Sequence, residues 1–277
     1  MKVNNIIGSP LIYSVFIIII FLLFAFNTYL YLKQPDLIFY PTKDVDVTPK
    51  EWQLDYHAVD IKLANKRNIT GWYLPHPEAE KTVLFFHGNG GNVSHRGNSL
   101  YIFHKLKLNV LIIDYLGYGK SGGEPSEEGL YQSANAAWQY LLNHKKLAPN
   151  KIIIFGRSLG GAVAVDLASQ VNAGALIVES SFSSIRDIVD TAFPILTHII
   201  YLRYSFNSLN KIGRVKMPLL VIHSPDDRVI PYESGIKLFN AAVSEKVFLE
   251  IKGGHNDGFM QSITSYMKSL HLFIQSI

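Results

Sequence analysis

The chain has no cysteine among its 277 residues, which excludes a disulfide, a thiolate nucleophile and a Cys-based metal site. It also lacks His-Glu-x-x-His and any spaced carboxylate–histidine cluster, so neither metal nor other cofactor is expected. Charge is scarce: Asp, Glu, Lys and Arg make up 17% of the residues, with a formal net charge of +4. The densest basic run, His144-Lys145-Lys146, reads as the solvated end of a helix. No basic stripe is interleaved with aromatics, so nucleic acid is not an expected partner. Gly88 to Asn92 is not followed by Gly-Lys-Ser/Thr, which argues against a phosphate loop. Internal repeats and low-complexity linkers are missing as well.

What the chain does have begins with a long apolar run. Leu11 to Leu32 carries no charge, and as a helix its 22 residues would span about 33 Å, enough for a hydrocarbon core of about 30 Å. Tyr13, Tyr29 and Tyr31 lie toward its ends, where aromatic rings favour the interface, and Lys33 closes it. A signal peptide would have a shorter apolar region followed by small residues. Asn27-Thr28-Tyr29-Leu30 offers no such pair, so residues 1–34 read as an uncleaved membrane anchor. Lys2 on one side and Lys33, Lys43 and Lys50 on the other give no orientation.

Residues 35–277 have the character of a soluble domain. Leu37 to Tyr40, Trp52 to Leu63 and Ile69 to Leu74 read as short strands, with Val59, Ile61 and Leu63 alternating in period two. Lys81 to Phe86, Asn109 to Tyr115, Ala175 to Val178, Leu219 to His223 and Val247 to Ile251 are apolar strands. Helical stretches alternate with them. One is capped by Ser126, with Glu127 and Glu128 in its first turn and a buried stripe through Leu130, Ala134, Ala137, Trp138 and Leu141. The last carries Met260, Ile263, Met267, Leu270 and Ile274. This alternation implies an α/β fold with a mostly parallel sheet. Residues 183–216, rich in Ile, Leu, Phe and Tyr without strand alternation, read as a small helical cap.

The organising stretch is Ile152-Ile153-Ile154-Phe155-Gly156-Arg157-Ser158-Leu159-Gly160-Gly161. A buried strand runs into the G-x-S-x-G spacing of a nucleophile elbow, where Ser158 sits on a sharp strand-to-helix turn. A serine hydroxyl needs an adjacent base, itself oriented by a third group. His255, in Gly253-Gly254-His255-Asn256 at a later strand end, is the base candidate. His57, His104 and His198 read as surface or packing residues. Asp226, Asp227 and Glu179 are the candidates for the acid, each at or just beyond a strand end, and the edge formed by such ends is where ligands bind in open α/β folds. Backbone donors for an oxyanion come from Leu159 N–H, directly after the nucleophile, and from Asn89 N–H in the glycine-rich loop after Phe86.

Four motifs in order resemble a known family: His87-Gly88-Asn89-Gly90-Gly91-Asn92, Asp114-Tyr115-x-Gly117-Tyr118-Gly119-x-Ser121, Gly156-Arg157-Ser158-Leu159-Gly160-Gly161 and Gly254-His255-Asn256-Asp257. Together they are similar to the bud-emergence-type α/β-hydrolases and the related α/β-hydrolase-domain-containing membrane serine hydrolases, from about Leu37 to the C-terminus. Leu116 departs from that pattern where many relatives place Arg, and Gly90 where Ala is commoner. The resemblance implies the α/β-hydrolase fold and hydrolysis of a small-molecule or lipid-like acyl ester or thioester, with relatives that deacylate lipidated proteins. It also aligns Gly-x-x-Asp-x-x-Val/Ile-Pro with residues 224–231, which puts the acid at Asp227. A serine aminopeptidase of the same fold is the alternative. Such an exopeptidase needs an acidic group to hold a free amine, whereas Ala192 to Phe206 offers only apolar, aromatic, hydroxyl and basic residues. A non-catalytic binding module is a third reading, and the presence of Ser158, Asp227 and His255 argues against it.

Overall fold

The structure is a computed structural model that describes residues 10–277 apart from Asn65 and Leu196; Lys2 and the side chain of His198 lie outside the described residues. Eight strands form the main sheet: β1 (His57–Lys62), β2 (Asn68–Leu74), β3 (Thr82–Phe86), β4 (Asn109–Ile113), β5 (Ile152–Arg157), β6 (Ala175–Glu179), β7 (Leu219–His223) and β8 (Lys246–Glu250). Their spatial order is β1-β2-β4-β3-β5-β6-β7-β8. β1 and β2 are antiparallel to their neighbours and the remaining pairs are parallel. Nine helices accompany the strands among the described residues: α1 (Pro10–Ile38), α2 (Gly97–Lys105), α3 (Glu127–Asn143), α4 (Leu159–Ala168), α5 (Ile185–Ala192), α6 (Leu209–Ile212), α7 (Tyr232–Ala241), α8 (Gly258–Gln261) and α9 (Ile263–Gln275).

The period of two along each strand divides one sheet between two cores. Leu84 and Phe86 of β3, Ile152 and Ile154 of β5 and Leu176 and Val178 of β6 face the side covered by α3, α4 and α7. Their neighbours Val83, Phe85, Ile153, Phe155 and Ile177 face α2 and α9, meeting Leu100, Phe103, Tyr266 and Leu270. Central strands whose interiors are apolar on both faces are thus explained by burial on both sides. α4 is buried throughout, because Gly160, Gly161, Ala162 and Ala164 let its axis approach β5.

Several elements differ from the sequence expectation. α1 does not stop at Pro35 but continues to Ile38. The expected strand over 37–40 shrinks to Tyr40–Pro41, paired in parallel with Gly90–Gly91. The reason is packing: the last turn of α1 lies against the cap and the Asn89 loop. The expected strand from Trp52 starts only at His57. Thr48 and Glu51 bond each other across a 3-10 turn at Pro49–Trp52, and Trp52 folds edge-on against Trp72. The cap is less helical than expected. Among the described residues of the cap only α5, α6 and a 3-10 turn at Thr197–Ile199 are regular, and Arg186 ties the rest together through the carbonyls of Thr197 and Ile200. Finally, the C-terminal helix is broken into α8 and α9.

The Ser126 cap is present, its hydroxyl accepting the Gly129 N–H at 3.1 Å. Glu127 has a second task that its position at a helix start does not announce. Its carboxylate accepts the N–H groups of Ser205 and Phe206, each at 2.7 Å, and so fastens the cap to the body.

Phe155 tests the two-core description. It is fully buried, with ring centroids 5.3 Å from Phe85 and 5.1 Å from Phe103. Phe155→Ala should cost about 3–5 kcal/mol in urea-induced unfolding. A loss well below 1 kcal/mol would show that the α2 side of the sheet is not a packed core.

Candidate active site

Ser158 follows β5 with φ 54° and ψ −122°, a backbone region that non-glycine residues adopt only under constraint. Two close approaches enforce it. A Cβ at Gly160 would lie 2.0 Å from the Phe86 carbonyl oxygen, and one at Gly156 would lie 2.2 Å from the Gly160 oxygen. The turn is also bonded at both ends: Ser158 N–H donates to Glu179 O at 2.9 Å, and the Ser158 carbonyl accepts from Ser181 Oγ at 2.8 Å and Gly161 N–H at 2.9 Å. The hydroxyl is therefore raised above the C-terminal edge of the sheet.

Strand ends β7 and β8 bring the partners expected from sequence to that edge. His255 Nε2 lies 2.9 Å from Ser158 Oγ, and His255 Nδ1 lies 2.7 Å from Asp227 Oδ2. An ionised carboxylate can only accept, so Nδ1 carries the proton and Nε2 accepts from the serine hydroxyl. Burial works against ionisation of Asp227. Hydrogen bonds from His223, His255 and the Ile230 N–H outweigh it and hold the carboxyl well below the usual carboxylate range. The Val229 and Ile230 N–H groups both reach Asp227 Oδ1, at 2.8 and 2.9 Å. The other two acids are engaged elsewhere. Asp226 accepts from Gly253 N–H at 3.2 Å. Glu179 pairs with Arg157 Nε at 2.6 Å and accepts from Tyr266 Oη at 2.5 Å, all in the interior.

The loop after β3 shows what its motif residues do. From His87 to Gly91 every carbonyl is claimed by a donor. Tyr115 Oη reaches His87 O at 2.8 Å, and the His87 Nδ1–H reaches Gly88 O at 2.7 Å. Asn89 O accepts from Tyr40 N–H at 3.1 Å and Tyr118 Oη at 2.9 Å. Arg96 takes Gly90 O, and Thr42 N–H takes Gly91 O. The Asn89 side chain donates to Ile38 O at 3.2 Å, which turns it toward α1. Leu159 N–H is one of the first-turn donors that a helix leaves unpaired. His87 is fully enclosed, and its burial lowers its pKa despite the Asp114 carboxylate 3.5 Å away.

Ser158, Leu159, Asn89 and His255 open into a cavity of about 670 Å³, a size suited to a small-molecule site. Its walls are Phe182, Ile185, Ile188 and Val189 on one side and α1 on the other, and apart from His255 no acidic or basic side chain is among its lining residues. A hollow of about 700 Å³ between β1 and α3 is lined by amides such as Gln132, Asn135 and Gln139 and lies at the far edge of the sheet. Sequence reasoning did not anticipate the part played by Tyr115, Tyr118 and Arg96 in fixing the loop. It also missed the Arg157–Glu179–Tyr266 cluster and the cavity residues on α1. The Asp-Tyr-x-Gly-Tyr-Gly motif was the available signal for the first of these. Nothing in the apolar run marked the last.

This strand order, with a serine elbow after β5, is the α/β-hydrolase fold. The family described as serine aminopeptidase, S33, matches residues 77–205. Protein bem46 of Schizosaccharomyces pombe is 34% identical over 236 residues, covering 79% of each chain. Alpha/beta hydrolase domain-containing protein 17C of Mus musculus is 36% identical over 201 residues, covering 72% of this chain and 61% of the mouse protein. The solved structure of the Pyrococcus furiosus esterase Pf2001 superposes with a TM-score of 0.70 at 20% identity, over 86% of this chain and 98% of that one. The chain belongs to the α/β-hydrolase superfamily, among its bem46-type members.

The Asp227 environment makes a prediction about acid stability. Because its carboxyl ionises more readily folded than unfolded, its contribution is complete above an unfolded pKa of about 3.9 and is lost as pH falls below that value. Asp227→Asn should therefore flatten the fall of melting temperature between about pH 4 and pH 2. An acid limb as steep as that of the parent protein would contradict the hydrogen bonds assigned to this carboxylate.

Proposed function

We propose that the chain is a serine hydrolase that cleaves carboxylic ester or thioester bonds, held at a membrane by α1. The observation that carries this reading is the continuous chain from Asp227 through His255 to Ser158 Oγ, at 2.7 and 2.9 Å, opening into an uncharged cavity. In the reaction His255 Nε2 takes the Ser158 proton as Oγ attacks the acyl carbon. Asp227 holds the Nδ1–H tautomer and stabilises the imidazolium. The oxyanion is received by the N–H groups of Leu159 and Asn89, which water cannot reorganise because their loop and helix are fixed. His255 then gives its proton to the departing alcohol or thiol, leaving an acyl-Ser158 ester. A water molecule, deprotonated by His255, releases the carboxylic acid.

The match to the serine aminopeptidase family favours a second reading, cleavage of an N-terminal peptide bond. An exopeptidase must hold an α-ammonium group, and the cavity walls provide no carboxylate for it. This supports an acyl group as occupant. Retention of the membrane segment is supported by its bonds to the cap. Gln34 and Asn27 of α1 both contact backbone atoms of residues 201–203, contacts that a removed signal peptide would not make.

A fluorophosphonate probe should label the protein at one serine, and Ser158→Ala should abolish labelling; a labelled alanine variant would sink the assignment. On one ester, Asp227→Asn should lower kcat by about 10⁴, the loss expected when the wrong histidine tautomer is favoured. Asp226→Asn should retain most activity. Glu179→Gln should also keep kcat in its folded fraction while losing about 3–5 kcal/mol of stability, since it strands the buried Arg157 charge. Near-normal turnover of Asp227→Asn would end the claim for that acid.

A further inference from the structure

Helix α1 is at once the apolar N-terminal segment and a wall of the cavity at Ser158. Phe26, Leu30, Gln34, Leu37 and Ile38 line that cavity, and their spacing of 4, 4, 3 and 1 puts them on one helical stripe. The two ends of the stripe differ. The Ile38 end lies at the loop after β3, since its carbonyl accepts from the side chain of Asn89, which lines the cavity together with Ser158. Phe26 lies about 18 Å farther along the axis, at 1.5 Å per residue, inside the uncharged run that is long enough to cross a bilayer. The facing wall is α5, through Ile185, Ile188 and Val189.

Polar side chains on α1 hold this geometry. Gln34 is buried and uses both ends of its amide on the cap: Nε2 donates to Tyr201 O at 2.8 Å, and Oε1 accepts Arg203 N–H at 2.6 Å. Asn27 Oδ1 accepts Tyr201 N–H at 2.9 Å, and the Tyr31 and Tyr201 rings meet at 5.7 Å. A segment that only tethered the domain would need none of these contacts. They fix the stripe against the cap in one register.

We propose that α1 is a specificity element, with the substrate's acyl chain lying along the stripe from Ile38 to Phe26 and its carbonyl at Ser158. This deepens the serine hydrolase reading and rests on it. The substrate class it selects is a long-chain acyl ester or thioester whose chain enters from the bilayer along α1, so that the membrane segment delivers the chain as well as holding the enzyme. An apolar groove continuous with both the nucleophile and the bilayer-length helix fits this occupant. A polar or charged leaving group would remain outside the groove, at the edge formed by Asn256 and Val229.

The test uses the full-length protein in detergent micelles, with p-nitrophenyl acetate and p-nitrophenyl palmitate as paired substrates. The readout is the ratio of kcat/KM for palmitate to that for acetate. Leu30→Trp, which fills the groove, should lower the ratio by about tenfold or more. Phe24→Trp alters the same helix on an exposed side chain outside the cavity and should give the parent ratio. An unchanged ratio in Leu30→Trp overturns the proposal. Should that variant fail to fold, Leu30→Ala removes contact surface and should lower the ratio several-fold, and an unchanged ratio there overturns the proposal equally. Acetate hydrolysis that is absent in the parent protein, or that survives Ser158→Ala, overturns the hydrolase reading itself.

Discussion

The approach of Gly160 to the end of β3 is the contact on which the site depends. It places backbone against backbone where a single methyl group would sit 2.0 Å from the Phe86 oxygen. That closeness lets α4 begin immediately over the sheet edge, which in turn forces Ser158 into its positive φ. The cost of such a conformation is of order 1–3 kcal/mol. It is offset by the burial of the whole of α4 between β5 and α3 and by three hydrogen bonds on the Ser158 main chain. The strain is local, and the packing that sustains it is spread over the centre of the domain.

A second constraint is the opposite of strain. The loop from His87 to Gly91 has little regular structure of its own, and a glycine-rich segment loses much conformational entropy when it is ordered. Each of its carbonyls is bonded, two of them by the hydroxyls of buried tyrosines. Tyr115 and Tyr118 have pKa values pushed up by burial, Tyr118 beyond the range of any working pH, so both remain protonated donors. In the proposed reaction, a loop whose acceptors are all satisfied would present its N–H groups to the developing negative charge with little further reorganisation. Leu116, in the middle of the tyrosine motif, packs with the core on the α3 side and takes no part in that arrangement.

Much of this was legible in the sequence because its signals are strong and local. Apolar strands of five residues, a G-x-S-x-G turn and a capping serine follow from short-range physics, and the structure has each of them. The meeting of Ser158, an aspartate and His255 at one edge followed from chain order and parallel topology, while the choice of Asp227 over Asp226 and Glu179 came from the family resemblance. What was not legible depended on partners distant in the chain. The 37–40 segment carries a strand-like composition, yet Leu37 and Ile38 stay in α1 because they have a cavity and a loop to cover, and pairing begins only at Tyr40. Glu127 reads as a favourable charge at a helix start, and only the fold reveals that its carboxylate also serves the Ser205 and Phe206 N–H groups. The irregular cap between α5 and α6 is held by side-chain bonds to carbonyls, which leave no periodic trace.

The three acids near the edge show how position converts one chemistry into three tasks. Asp227 receives donors alone, from two backbone N–H groups and two imidazoles, so its negative charge is held where a base must be oriented. Glu179 faces a full positive charge in the interior, and with Arg157 and Tyr266 it forms a closed set whose charge is already neutralised. A carboxylate so paired has no net field left for a developing imidazolium. Asp226 points into the β8 turn and meets the Gly253 N–H two residues before His255, which fixes the path of that loop. In the proposed reaction the acid is selected by its neighbours rather than by ionisation alone, because they leave Asp227 as the one of these three carboxylates bonded to the histidine.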